Sequence, residues 1–207
     1  NIVTKSPANQ PNSANIDYAI AQQQRHETNM FISQSRGRYS LNVASNFVHA
    51  DGFRDNNSLL QRNALAQLRY TGDGGEAFIK LGGDFQSLGL PGARLIDRGT
   101  GTDQFLAVPY EATTPTDKAL QNGLRLNIGI TRELSTGAEL ILDAGVRKKD
   151  QDSSIEDNNG GGFNQIVDTE LTTWSLTPRG NMEWIVAGQH HQSTIGADLY
   201  YAYYNSD

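Results

Sequence analysis

The stretch Leu120-Gln121-Asn122-Gly123-Leu124-Arg125-Leu126-Asn127-Ile128-Gly129-Ile130-Thr131-Arg132 decides how this chain is read. Leu120, Leu124, Leu126, Ile128 and Ile130 are apolar. Gln121, Gly123, Arg125, Asn127, Gly129 and Thr131 between them are polar or small, and Asn122 alone breaks the order. Successive side chains of a strand point to opposite faces, so a period of two describes one greasy face and one wet face. The run exceeds the usual soluble strand of about 5–6 residues. It is long enough for the roughly 9–11 residues that a tilted strand needs to cross a membrane.

Working outward, eight more stretches repeat the pattern. The first expected strand covers Asn15 to about Gln24, with Ile16, Tyr18 and Ile20 opposite Asn15, Asp17, Ala19 and Ala21. The second covers Thr28 to Gln34, where Phe31 interrupts the alternation. The third, Tyr39 to His49, sets Tyr39, Leu41, Val43 and Phe47 against Ser40, Asn42 and Asn46. The fourth spans Arg62 to Tyr70 and the fifth Ala77 to Gln86. The sixth is the opening stretch. The seventh, Ala138 to Arg147, places Leu140, Leu142, Ala144 and Val146 on one side. The eighth runs from about Asp168 to Ile185, with a bend expected near Pro178 and Gly180, and the ninth from Gln192 to Tyr204.

The links between these strands alternate in length. Those at Arg36, Gly72, Glu133 and Gly188 are brief, and those at Asp51, Leu88 and Lys148 are long; the link near Arg25 is short and breaks the trend. Leu88 to Ala119 has no sustained period and holds Pro91, Pro109 and Pro115, which marks a loop of functional length. Lys148 to about Phe163 reads as a charged, then Gly-rich loop. Long loops at one end of a meander and short turns at the other match a membrane barrel. The ionic residues within strands keep to the non-apolar face, as they should where a charge meeting lipid at the midplane costs about 2–4 kcal/mol. Asp17, Arg69, Lys80, Asp84, Arg125, Asp143 and Asp198 all do so. The expected fold class is therefore all-β: an antiparallel up-and-down transmembrane β-barrel, of which about nine strands are present. Nine is odd, whereas bacterial single-chain barrels have an even number. The chain is read as a piece of a larger barrel. A soluble β-sandwich also alternates and stays open as a second reading, although sandwiches signal a turn about every 8–12 residues.

Composition removes other classes. A formal charge of −6 gives no support to nucleic-acid binding, which usually shows a basic face. There is no Cys, hence no disulfide framework, thiolate zinc site or cysteine nucleophile. No window approaches 18 apolar residues, so no transmembrane helix is expected. A mean hydropathy of −0.54 is compatible with a barrel, because half of each strand and all loops are polar.

Several motifs in order then resemble the TonB-dependent receptors of Gram-negative outer membranes. Asn1-Ile2-Val3-Thr4-Lys5 is similar to the closing strand of their plug domain. Asp51-Gly52-Phe53-Arg54-Asp55-Asn56 is similar to an early extracellular loop, and Leu88-Gly89-Leu90-Pro91-Gly92 to the entry into a later one. Leu176-Thr177-Pro178-Arg179 resembles a strand descending to a periplasmic turn. The resemblance implies that residues 1–12 end the plug and linker and that residues 13–207 form the N-terminal portion of the barrel. It implies an outer-membrane receptor for energised uptake of a ferric siderophore or other scarce nutrient. The partners it implies are that ligand, outer-membrane lipid, and the TonB energising complex acting through a plug segment outside this chain. No cofactor is implied; iron would arrive inside the ligand. A passive porin-like barrel is the alternative within the same fold.

Candidate chemistry is sparse. Arg94, Asp97, Arg98 and Tyr110 of the long loop are the candidate ligand-binding residues, since guanidinium forks and phenols suit anionic or catecholate chelates. Asp17, Lys80, Asp84, Arg125, Asp143 and Asp198 are the expected lumen-facing ions. Asp150, Asp152, Ser154 and Glu156 loosely suggest a calcium loop, but Ile155 stands where an EF-hand needs Gly and Gly161 where it needs Glu. His190-His191 is expected in a turn. Gly99-Thr100-Gly101 lacks the strand–turn–helix context of a phosphate loop, and no G-x-S-x-G elbow occurs. No metal site and no enzyme activity are expected.

Overall fold

The computed structural model describes residues 12–156 and 164–206. Residues 1–11, which hold the expected plug strand, and the Gly-rich part of the loop after Lys148 lie outside the described residues. The elements are β1 (Ser13–Ala21), β2 (Arg25–Arg36), β3 (Tyr39–Ala50), β4 (Leu59–Gly72), β5 (Gly75–Gly89), β6 (Ile96–Asp97), β7 (Thr102–Asp103), α1 (Gln104–Ala107), β8 (Lys118–Ser135), β9 (Ala138–Glu156), β10 (Asn164–Val186), β11 (Gln189–Gly196) and β12 (Leu199–Ser206). All the long strands join one antiparallel sheet, each pairing with the next in chain order. β6 and β7 form a small separate hairpin.

β11 and β12 are one strand in register terms. Arg179 pairs with Gly196 and Leu176 with Leu199, so the offset is the same on both sides of the break. The interruption at Ala197 and Asp198 lies opposite Pro178. The Pro178 carbonyl accepts from the Ala197 N–H at 3.1 Å, but proline has no N–H to return. The expected bend is a missing donor in a continuous β10. The sheet thus holds nine strand positions among the described residues.

Two expectations are corrected. The segment after Arg147 is not a loop. β9 runs on to Glu156 and pairs with β10, which starts at Asn164 rather than near Asp168. Asp150 and Asp152 therefore sit in a strand and not in a calcium-type loop. His190 and His191 lie in β11, not in the turn, which is formed by Ala187 and Gly188. His191 stacks on Trp184 with ring centroids 4.8 Å apart.

The faces settle the architecture. Val48 is the one apolar residue buried among the described residues, at 5% exposure. Ile16, Leu124 and Ile195 are 73%, 67% and 80% exposed, and they share one face of the sheet. A sandwich would cover that face with a second sheet; here none does among the described residues. The apolar face forms a belt edged by aromatic residues. Tyr39 and Tyr70, 5.2 Å apart between ring centroids, bound it at the short-turn end of β3 and β4. Trp174 and Trp184 bound it on β10.

The belt slides across the register. Tyr70 shares a row with Ala77, Ile130, Leu142 and Pro178, whereas the matching edge on β10 is Trp184, further along the strand. Strands that tilt against a barrel axis require this stagger. Turns at Gly37, Gly74, Gly137 and Gly188, each with positive φ, close the four short links at one end. The loops at 51–58 and 90–117 leave from the other end.

Candidate functional site

The face opposite the belt is polar and concave. One register row runs Asp17, Asn29, Asn46, Asn63, Asp84, Gly123, Lys149. Asn46 donates to Asn29 at 2.8 Å and Asn63 to Asn46 at 3.2 Å, an amide ladder between two carboxylates. The ladder floors a trough of 560 Å³ that Gln61, Gln86 and Arg125 also line. Phe31, which broke the sequence alternation, lies in this trough and not on the belt.

Glycines let long polar side chains lie flat on this face. The Arg125 side chain crosses Gly82, the Asp84 carboxylate crosses Gly123, and Phe78 with Asp143 covers Gly129; a Cβ at any of the three would collide. Phe78 in turn carries Arg69 at 5.6 Å and Lys80 at 5.1 Å from its ring centroid. Arg69 pairs with Glu76, and Asp143 accepts from Arg179 at 2.9 Å. Register places Asp17, Lys80, Asp84, Arg125 and Asp143 on this one face, and Asp198 follows the same parity in the interruption opposite Pro178. Ser33 Oγ and Asn42 Oδ1, paired in the register, are buried there without a hydrogen-bond partner.

The long loop at 90–117 is built, not slack. Asp103 caps α1 by accepting from the Phe105 and Leu106 N–H groups at 2.9 and 3.1 Å. Arg94 donates to the carbonyls of Gln104, at 3.0 Å, and Glu111. Asp97 accepts from Gly99 N–H and the Thr100 hydroxyl, each at 2.9 Å; the Thr100 bond leads in holding its carboxyl below the usual range. Tyr110 packs on Phe53 at 5.1 Å between ring centroids. Arg98 has no hydrogen-bond or ion-pair partner among the described residues. Of the four candidate ligand residues, Arg94 and Asp97 thus organise the loop while Arg98 is unengaged.

Two residues not among those candidates hold the loops together. Arg54 donates to Pro91, Gly92 and Glu111 carbonyls at 2.7, 2.8 and 3.2 Å. Burial first, then the nearby charge of Arg94, lowers its pKa, yet a guanidinium keeps its proton in proteins. Asn56 donates to Thr114, Asp117 and Leu90 carbonyls at 2.7, 2.8 and 3.2 Å. Their signal was the polar Asp51–Asn56 run itself, in which Asn56 takes a left-handed φ of 51°.

Above the belt, β9 and β10 extend with charges on both faces. On the outer side Lys148 pairs with Glu170 at 3.2 Å and with Asp150 at 3.5 Å. Asp152 faces Asp168 directly across the strands. Among the described residues no three His, Asp or Glu side chains converge to hold a metal, and no helix is long and apolar enough to cross a membrane.

Solved structures share this fold. The chain matches the P. aeruginosa receptor FpvA bound to a heterologous ferric pyoverdine with a TM-score of 0.77 and 8% identity, over 93% of this chain and 28% of that one. It matches the ferric-catecholate import receptor Fiu of E. coli K12, open form, with a TM-score of 0.75 and 11% identity, over 97% and 35%. It matches the unliganded ferric citrate transporter FecA with a TM-score of 0.70 and 11% identity, over 89% and 28%. No protein-family model matches the chain, and no curated protein sequence matches it significantly. The fold is that of part of a transmembrane β-barrel wall. The solved structures that share it are TonB-dependent receptors, transport proteins and not enzymes. The chain spans 28–35% of the length of these three structures.

Proposed function

We propose that this chain is part of an outer-membrane TonB-dependent receptor that takes up a ferric siderophore or another scarce nutrient by energised transport. One observation carries the reading: a single long-stranded sheet exposes an apolar belt on one face and an amide-and-carboxylate floor on the other. Lipid meets the first face and a polar filling meets the second. The fold shared with iron-transport receptors supports it. Among the described residues the outer edges of β1 and of β11 with β12 are unpaired, and an unpaired edge is untenable in lipid.

In this reading residues 1–12 end the plug and linker, and residues 13–207 begin the barrel. The loops at 51–58 and 90–117 face outside. Arg98, in the same loop as Arg94, Asp97 and Tyr110, meets the ligand with them. Asp17, Lys80, Asp84, Arg125, Asp143 and Asp198 face the lumen. The TonB complex acts on a plug segment outside this chain.

The test is growth of a strain lacking the full-length protein on a panel of ferric chelates as sole iron source. The full-length gene restores growth on at least one chelate only when TonB is present. Restoration without TonB would instead indicate a passive pore. Restoration on none, with the protein present in the outer membrane, would remove iron uptake from the account.

A further inference from the structure

Arg62 lies on the belt face of β4, between two aromatic residues. Its register partners are Phe47 of β3 and Phe85 of β5. The guanidinium carbon stands 5.8 Å from each ring centroid. Ser45, His49, Ala64, Gly83 and Ser87 surround it on that face, and none carries a negative charge. Among the described residues no hydrogen bond or ion pair holds Arg62.

A lone guanidinium facing hydrocarbon is costly at the bilayer midplane, about 2–4 kcal/mol, and nearly free at the interface. Its height decides between these. Arg62 and Tyr70 share a face of β4, with Tyr70 at the lower aromatic edge. At about 3.3 Å per residue and a tilt of about 40°, Arg62 stands roughly 20 Å above Tyr70. That is the upper rim of an apolar band about 25 Å tall. Tyr18, near the same end of β1, faces outward too, and its hydroxyl shares a 2.7 Å hydrogen bond with Nδ1 of His26 on the same face. The loop at 51–58 begins just beyond. A lipid-facing cation at this level meets headgroups.

We propose that Arg62, flanked by Phe47 and Phe85, binds the phosphate of an anionic lipid headgroup in the leaflet next to the long loops. A guanidinium fork matches phosphate geometry bidentately. The two rings flank the exposed guanidinium and hold it by cation–π attraction, which strengthens where a membrane removes water. The absence of any carboxylate on the adjacent outer faces leaves the charge free for an external anion. The proposal rests on the membrane reading of the belt.

The experiment uses the full-length protein in detergent micelles supplied with equal amounts of lipid A, carrying phosphate, and phosphatidylcholine. Native mass spectrometry counts the lipid retained. Wild type retains lipid A, and Arg62→Gln lowers that retention about tenfold, the loss of one charge-assisted pair. Arg62→Lys keeps part of it, and Phe47→Leu with Phe85→Leu lowers it with the charge intact. Retention of lipid A by Arg62→Gln at the wild-type level would overturn the proposal, as would equal retention of phosphatidylcholine. Displacement of lipid A by millimolar inorganic phosphate would show a free-ion site and overturn the lipid assignment. Heat-modifiable migration of both proteins after vesicle insertion is read in parallel. Failure of wild type to insert would overturn the membrane reading itself, and the proposal with it. Normal insertion with unchanged retention would overturn the site alone.

Discussion

The Arg54 guanidinium donates to the Pro91 carbonyl at 2.7 Å and so ties the loop after β3 to the much longer loop after β5. Arg54 also reaches Gly92 and Glu111, so one side chain crosslinks both ends of the long loop. Hydrogen bonds from charged groups contribute about 1.5–3 kcal/mol each. Arg54→Ala is expected to raise hydrogen exchange across residues 90–117 by at least about tenfold, with β4 and β5 unchanged. Unchanged exchange in the loop would mean that the clasp does not set its stability.

On the polar face, Gly129 makes room for Phe78, and Phe78 carries Arg69 and Lys80. Gly129→Ala must push the ring aside. The expected loss is about 1–3 kcal/mol, the usual range for overpacking, read from urea unfolding of the full-length barrel in vesicles. Gly83→Ala is the control, because its nearest neighbour would be an ordinary contact at 3.7 Å. A change within about 0.5 kcal/mol is expected there. Equal losses at the two positions would count against the flat packing described for Phe78.

The β9–β10 extension should respond to pH. A hydrogen bond with Asp152 leads in raising the Asp168 pKa above its ordinary value of 3.8, followed by burial and the charges of Asp152 and Asp150. A carboxyl whose folded pKa is raised binds more protons folded than unfolded, so local stability falls as pH rises through its titration. Exchange protection of residues 150–154 and 166–170, corrected for intrinsic rates, should fall as pH rises from 3.8 through the raised Asp168 titration. Asp152→Asn should flatten that profile. A profile that is already flat in wild type would refute the coupling.

Much of this fold is legible in sequence, for a reason visible at Leu124, Leu126, Ile128 and Ile130. Wherever one face meets lipid and the other a polar space, the two solvents impose a period of two. The signal ends where the asymmetry ends. Lys148, Asp150 and Asp152 on the outer side of β9 are as polar as Lys149 and Gln151 on the inner side, so this part of the strand has the sequence pattern of a loop. Phe31 misled in the opposite sense, an aromatic residue on the polar floor. The polar Asp51–Asn56 run marks a loop, but not what Arg54 and Asn56 clasp, because both bind backbone carbonyls that any sequence offers. Arg94 and Asp97 were chosen for chemistry that the loop uses internally.

The central claim concerns what each face of the Leu120–Arg132 stretch touches. The chain has no Cys; single cysteines between Gln121 and Thr131, in the full-length protein with any cysteine elsewhere replaced, can carry nitroxide labels in vesicles. Labels at positions 124, 126, 128 and 130 are expected to collide with dissolved oxygen and not with a water-soluble nickel chelate. Labels at 121, 125, 127 and 131, on the opposite face, should show low oxygen accessibility. Oxygen accessibility without a period of two, or nickel accessibility on both faces, would contradict the barrel wall.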